Sequence, residues 1–264
     1  MEKRNSHNGL NSDPIINLVA VRMKSSRLPG KAMRKIMDKS VIELLMERVT
    51  KANIPFKTVI CTSTIEQDDV LAKLALSKGF ELFRGHPDNV LDRFIKAANK
   101  YGAKHIVRIT GDNPLTDPLL IDQMCELHLQ NKADYTFTQS TPRGTRPEIM
   151  SLSAMQNCLL WAQNPDHSEY MSLYFKNYPD IFKNVEFVDP NPDRIRPEYR
   201  LTIDTPDDLA IIQQVYNKFY PQNPGFLLDE VIEYLDQHPE IPHSSRFIAS
   251  AGSDKINTKL TYAG

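Results

Sequence analysis

Between Arg22 and Lys31 the chain reads Arg-Met-Lys-Ser-Ser-Arg-Leu-Pro-Gly-Lys, which gathers four cations and two hydroxyls around a Leu-Pro-Gly turn. Arginine grips phosphate oxygens as a planar fork, and lysine neutralises them as a point charge. Arg22, Lys24, Arg27 and Lys31 therefore suit a polyphosphate. The competing reading is a solvated surface loop, since Lys and Arg usually face water. Neither of the two common glycine-rich phosphate motifs occurs, so side-chain cations rather than a backbone cradle would have to hold such a ligand. Two carboxylates stand in comparable settings. Asp112 lies in Gly111-Asp112-Asn113-Pro114, and Asp204 comes just ahead of Thr205-Pro206. Singly, Asp112 is accounted for by bonding to its own turn and Asp204 by a helix start. Together with the cations they match the needs of magnesium and a nucleotide. Magnesium takes one or two protein carboxylates plus substrate phosphates, and phosphoryl-type transfer runs on positioning and charge neutralisation.

The elements around these residues give them a common location. Residues 15–21 are an apolar run that predicts a buried strand ending at the cationic stretch. Ser40 is placed to cap a helix with Val41, Leu44, Leu45 and Val49 on its apolar face. A β-branched strand follows at 58–62, a helix at 68–78 stopped by Gly79, and a short strand at 81–83. Asp88 or Asn89 caps a further helix that Gly102 stops. A strand at 105–109 leads to Asp112, and Pro118 opens a helix to about residue 131. Beyond a strand at 135–138 the pattern loosens around Pro142, Gly144 and Pro147. Helices are expected from Ser153 and Ser168, a strand at 185–188, a strand ending at Asp204, and helices at 206–219 and 226–235. Strands alternating with helices predict a parallel, helix-covered sheet, in which ligands bind beyond the carboxyl ends of the strands. The cationic loop and Asp112 both sit at such ends.

Bulk properties narrow the function classes. A length of 264 residues with 41% hydrophobic and 25% charged residues is ordinary globular composition. A net charge of −1 offers no basic field for nucleic acid. Cys61, Cys125 and Cys158 form no C-x-x-C pair, which argues against a zinc knuckle or disulfide framework and fits a reducing compartment. No apolar run reaches membrane-span length, and the polar N-terminus lacks a signal-peptide core, so a cytoplasmic protein is expected. The division expected is a flexible leader at 1–14, one folded domain at 15–240, and a C-terminal tail at 241–264 with no fold assigned. Isolated histidines such as His86, His105 and His128 show no metal spacing.

The stretch Arg22-x-x-Ser25-x-Arg27-Leu28-Pro29-Gly30-Lys31 resembles the signature loop of the cytidylyltransferases that make CMP-activated sugars. Three more blocks follow in family order. These are Asn89-Val90-Leu91-Asp92-Arg93-Phe94, the Gly111-Asp112-Asn113-Pro114 turn, and Asp204-Thr205-Pro206-Asp207-Asp208-Leu209. The combination is similar to the SpsF-like branch concerned with spore-coat polysaccharide, and more distantly to CMP-Kdo and CMP-sialic acid synthetases. The resemblance implies a nucleotide-diphospho-sugar transferase fold, Rossmann-like and of GT-A type, with a central mostly parallel sheet. It implies a Mg2+-dependent attack of a sugar hydroxyl on the α-phosphorus of CTP, with pyrophosphate leaving, and a homodimer. Carried over by position, Arg22, Arg27, Lys31 and Asp112 would be catalytic. Arg22, Ser25, Arg27, Lys31, Asn89, Arg93 and Asp112 would bind the nucleotide, and Asp112 and Asp204 the metal.

The acceptor side departs from the family pattern. Where relatives often read Arg-Glu-His-Val-Thr, this chain has Ser168-Glu169-Tyr170-Met171-Ser172. The loop Gly144-Thr145-Arg146-Pro147-Glu148 keeps the family's Gly and Glu but adds Arg146 and Pro147. Arg143, Arg146, Glu148 and Glu169 are the acceptor candidates, with an acidic sugar as one reading and solvated loop arginines as the other. Two alternatives stand beside the leading function: a nucleotidyltransferase of the same fold using another nucleotide or a sugar 1-phosphate, and an inactive nucleotide-binding homologue.

Overall fold

β1 (Ile15–Ala20) is apolar on both faces except for Asn17, whose buried amide donates to Val49 O and Thr58 Oγ1, as suits a strand covered on both sides. It runs parallel to β4 (Lys57–Ser63) on one side and to β6 (His105–Thr110) on the other, with Leu18 opposite Val59 and Arg108. The computed structural model describes residues 13–165, 168–241 and 259–261. Adding β5 (Glu81–Gly85), β7 (Tyr135–Phe137), β8 (Glu148–Ser151) and β9 (Asn184–Glu186) gives a seven-stranded sheet ordered β5-β4-β1-β6-β8-β7-β9. A separate hairpin joins β2 (Lys35–Ile36) and β3 (Lys39–Ser40).

The helices form where the caps direct. Ser40 and Glu43 make a capping box on α1 (Val41–Val49), and α2 (Asp69–Lys78) ends at left-handed Gly79. Asn89, rather than Asp88, caps α3 (Val90–Tyr101) by accepting from the Asp92 amide. Asp117 caps α4 (Pro118–Asn131), and Thr205 and Asp208 make the capping box of α7 (Pro206–Phe219). α5 (Leu152–Trp161), α6 (Ser172–Asn177) and α8 (Leu228–Gln237) complete the set. One core, including Phe94, Met155 and Phe175, lies on one side of the sheet; a second, including Leu45, Leu71 and Met124, lies on the other. A third core joins Tyr216 and Phe226 to Leu28, Leu115, Leu201 and Ile203. Those last four residues belong to the three segments that carry the cations and carboxylates, so burial of their side chains fixes the segments relative to one another.

Several details differ from expectation. β8 goes unrecognised in the sequence because Pro142, Gly144 and Pro147 crowd its approach, yet it inserts antiparallel between β6 and β7. The stretch up to Asp204 forms no strand: Arg200 bridges Arg143, and the chain continues outside any ladder. Its partner is a loop, so no ladder can propagate. Ser168 begins a 3-10 turn ahead of α6, and the last helix starts two residues later than expected, at Leu228. Residues 259–261, expected to lack structure, lie against the first core: Leu260 bridges Ala162, and its amide donates to Tyr178 Oη at 3.0 Å. The leader lies outside the described residues as far as residue 12, as does most of the tail. All three cysteines are buried and free, with burial pushing the Cys61 thiol up to about 12. His128, buried at the sheet, bonds His105 and Thr136. No described helix is long and apolar enough to cross a membrane.

Candidate active site

Three segments converge beyond the ends of β1 and β6. The first is the cationic loop after β1, the second the Gly111–Pro114 turn after β6, and the third the extended chain before α7. Gly111 is required where the first two touch, because a Cβ there would stand 2.7 Å from the Val21 side chain. The Gly111 amide donates to Ala20 O at 2.8 Å, and the Ile203 amide donates to Asp112 O at 2.9 Å. Lys31 then links all three: its Nζ lies 2.6 Å from Asp112 Oδ2, 3.1 Å from Asp204 Oδ1 and 2.9 Å from Ile203 O. Arg27, half-exposed, donates to Asp204 Oδ1 at 2.9 Å.

The charges are mutually sustained. Burial disfavours the Lys31 ammonium, but Asp112 and then Asp204 outweigh it and raise the pKa above the ordinary lysine value. Burial likewise opposes the Asp204 carboxylate, and Lys31, Arg200 and Arg27 together hold it down at about 2. Arg200 is a participant that reading the motifs left without a role. Its Nη2 meets Asp204 Oδ2 at 2.6 Å and its Nε meets Asp208 Oδ1 at 3.2 Å. Asp208 in turn accepts from the Asp204 and Thr205 amides, each at 2.8 Å. The spacing of Arg200, Asp204 and Asp208, four residues apart, is the one signal that could have found this trio.

The cationic loop is pinned at its start by Asp68, another residue sequence reasoning did not single out. Its buried carboxylate accepts from the Met23 amide at 2.7 Å and from the Ser63 amide and hydroxyl. Within the loop, Ser25 Oγ accepts from the Leu28 amide at 3.4 Å, a local turn contact. Arg22 reaches the segment ahead of α3: its Nη1 donates to Pro87 O at 2.6 Å and approaches Asp88 at 3.4 Å. The segment before α3 thereby joins the site. Asn89 serves as helix cap and accepts from Ser168 Oγ at 3.3 Å, while Arg93 is fully buried and donates to His86 O at 3.2 Å. Burial lowers the Arg93 pKa, and its Nε has no hydrogen-bond partner among the described residues.

The expected acceptor residues are arranged differently. Arg143 is exposed, and its backbone pairs with Tyr199 and Leu201. Gly144, at φ 99°, fits only because it lacks a side chain, since a Cβ would overlap the Leu201 carbonyl group. Arg146 donates to Pro142 O and Thr138 O within its own loop, at 3.4 and 3.2 Å. Glu148 sits opposite Arg108 in the β6–β8 register and pairs with it at 2.6 Å, while Tyr135 Oη donates to its other oxygen. Burial opposes the Glu148 charge, but Arg108, Tyr135 and Lys176 lower its pKa all the same. The Glu169 side chain lies outside the described residues.

The donor set suits a magnesium ion shared with phosphates. Asp112 and Asp204 already close on a single cationic nitrogen, so their oxygens can reach one centre. Among the described residues no group of three or more His, Cys, Asp or Glu could enclose a metal by itself. Two carboxylates, with phosphate and water completing the shell, is the pattern magnesium favours.

Comparison with known proteins agrees with this geometry. The cytidylyltransferase family pattern matches residues 16–232, and the chain belongs to that family. It is 34% identical to the spore coat polysaccharide biosynthesis protein SpsF of Bacillus subtilis over 232 residues, 86% of this chain and 95% of that protein. It is 30% identical over 121 residues to the 3-deoxy-manno-octulosonate cytidylyltransferase of Geobacter sulfurreducens, covering 45% of this chain and 47% of that one. A cytidylyltransferase structure from Leptospira borgpetersenii superimposes with a TM-score of 0.82 at 28% identity, covering 89% of this chain and 99% of that one. The protein is therefore a nucleotidyltransferase with the nucleotide-sugar transferase fold.

Proposed function

We propose that this protein transfers CMP from CTP to a sugar hydroxyl, with Mg2+ as cofactor. In that reaction the hydroxyl oxygen bonds to the α-phosphorus, the α–β phosphoanhydride bond breaks, and pyrophosphate leaves. The observation that carries the reading is the meeting of Lys31 with Asp112 and Asp204 at strand ends of a parallel sheet. Arg22, Arg27 and Lys31 would grip the triphosphate, with Ser25 in the same loop, and Lys31 and Arg27 would share the charge of the leaving pyrophosphate. Asp112 and Asp204 would hold the metal, which when bound neutralises phosphate oxygens. Asn89 and Arg93 would set the wall of the base and ribose site through the loop that Arg22 touches.

The acceptor we infer is an acidic sugar destined for a surface polysaccharide. Arg143 and Arg146 support it, because the carboxylate beside them, Glu148, is already neutralised by Arg108. The SpsF and 3-deoxy-manno-octulosonate relatives point the same way. A cytoplasmic homodimer completes the proposal; light scattering in solution tests the stoichiometry. The decisive experiment is pyrophosphate release with CTP and a panel of neutral and acidic sugars, alongside thermal shifts with CTP, UTP, GTP and dTTP. Absence of release with every nucleotide, combined with no CTP binding, sinks the reading. A larger shift with another nucleotide moves it to a sister activity of the same fold.

A further inference from the structure

We propose that Lys31 is a built-in counter-ion that keeps the divalent-cation position between Asp112 and Asp204 until a nucleotide draws it away, so that metal and nucleotide are admitted together. The inference rests on the reading of Asp112 and Asp204 as the metal pair. The Lys31 ammonium approaches one oxygen of each carboxylate, at 2.6 and 3.1 Å, and takes Ile203 O as a third partner. Those are the same two side chains that would approach magnesium at about 2.1 Å, and two cations cannot share one such position. Ammonium and metal therefore exclude each other.

The surroundings let the ammonium leave without dismantling the site. The Lys31 backbone is held by its own turn, its amide donating to Leu28 O at 3.2 Å and its carbonyl accepting from the Arg34 amide at 3.1 Å. Only the four-carbon stem has to swing, and lysine, unlike arginine, is a compact point charge on a flexible arm. Asp204 keeps Arg200 on its other oxygen at 2.6 Å, so it stays in place. Asp112 keeps its backbone bond from Ile203. The anions offered to the departing ammonium are nucleotide phosphates, held by neighbouring Arg27 and Arg22. While it stays, Lys31 also keeps the like charges of Asp112 and Asp204 together, which preorganises the pair. Coupling of this kind is reciprocal: a nucleotide that removes Lys31 raises metal affinity, and a metal that displaces Lys31 frees a phosphate ligand.

The test is a titration of the full-length protein with Mn2+ in the absence of any nucleotide, reading free Mn2+ by electron paramagnetic resonance. Lys31→Met and Lys31→Gln are each expected to bind Mn2+ about tenfold more tightly than wild type, since both remove a positive charge from between two carboxylates. Lys31→Arg, which keeps the charge, stays within a factor of about two of wild type. Adding Asp112→Asn to Lys31→Met abolishes the gain. The proposal is overturned if neither neutral variant binds Mn2+ more tightly, or if the gain survives loss of Asp112. Because no CTP is present, failure of CMP transfer leaves the titration intact. Conversely, normal CMP transfer by the wild type with no Lys31 effect removes this inference alone.

Discussion

On the parallel side of the sheet, Lys31 and Arg27 stand 173 and 177 residues from the Asp204 carboxylate they meet, and both contacts cross between segments. On the antiparallel side the charged groups stay closer to home. Arg146 bonds carbonyls at most eight residues away, and Glu148 pairs with its cross-strand neighbour Arg108. A site assembled from distant segments exists only when the whole fold is formed, and its geometry is then shared by every segment. A site on one loop can change its side chains without disturbing the strands beneath. The resemblance read from the sequence holds on the first side and departs on the second, which is the division such an arrangement would favour.

The comparison is broken most directly by Asp112→Asn. Under the proposed function, a loss of about a thousandfold or more in pyrophosphate release is expected, with an unchanged circular dichroism spectrum, because one of the two carboxylates proposed to hold the metal loses its charge. A rate near wild type would detach Asp112 from the chemistry. Gly144→Ala tests whether the two sides are joined where the Arg143 loop meets Leu201. It should cost about 3 kcal/mol in urea denaturation, through a left-handed backbone and a clash with the Leu201 carbonyl. A loss within about 0.5 kcal/mol contradicts that contact.

Acid sharpens the electrostatic half of the contrast. Asp204 has a folded pKa of about 2 against an ordinary 3.8. Its charged form is favoured in the folded state, so its stabilisation is complete above about pH 4 and is lost as pH falls towards 2. That contribution is about 2 kcal/mol, and the stability gap between wild type and Asp204→Asn should narrow over that window. A gap that does not change with pH removes the ion-pair account. The smallest effect is expected from Arg143→Ala, which should raise the acceptor KM about tenfold while leaving the CTP KM unchanged. Equal increases for both substrates would place Arg143 on the nucleotide side instead.

Much of the parallel half is legible in the sequence because its signals are local. Ser40, Asn89, Pro118 and Thr205 mark helix starts by capping chemistry that spans only a few residues, and β1 announces itself as an apolar run interrupted only by Asn17. The cationic loop and both aspartates are visible for the same reason. β8 is not, because its four residues, Glu148 to Ser151, lie among turn-forming prolines and a glycine, and their pairing depends on β6, forty residues earlier in register. Arg200 is quoted easily in a motif, yet its grip on Asp204 and Asp208 emerges only once the chain is extended there rather than pleated in a ladder. Asp68 gives no local hint, since it serves an amide 45 residues away.

The anchoring of the cationic loop by Asp68 also bears on its motions. One buried carboxylate fastens both the Met23 amide and the end of β4, and the Gly30 amide returns to Met23 O at 3.3 Å. The loop is thus a handle riveted at its two ends, with Lys24, Ser26 and Arg27 exposed between them. In hydrogen exchange the Met23 amide should persist with the sheet, while the amides of Lys24 to Arg27 exchange early. If the loop holds phosphate as proposed, it can do so by moving its middle alone, leaving the strand that carries it at rest.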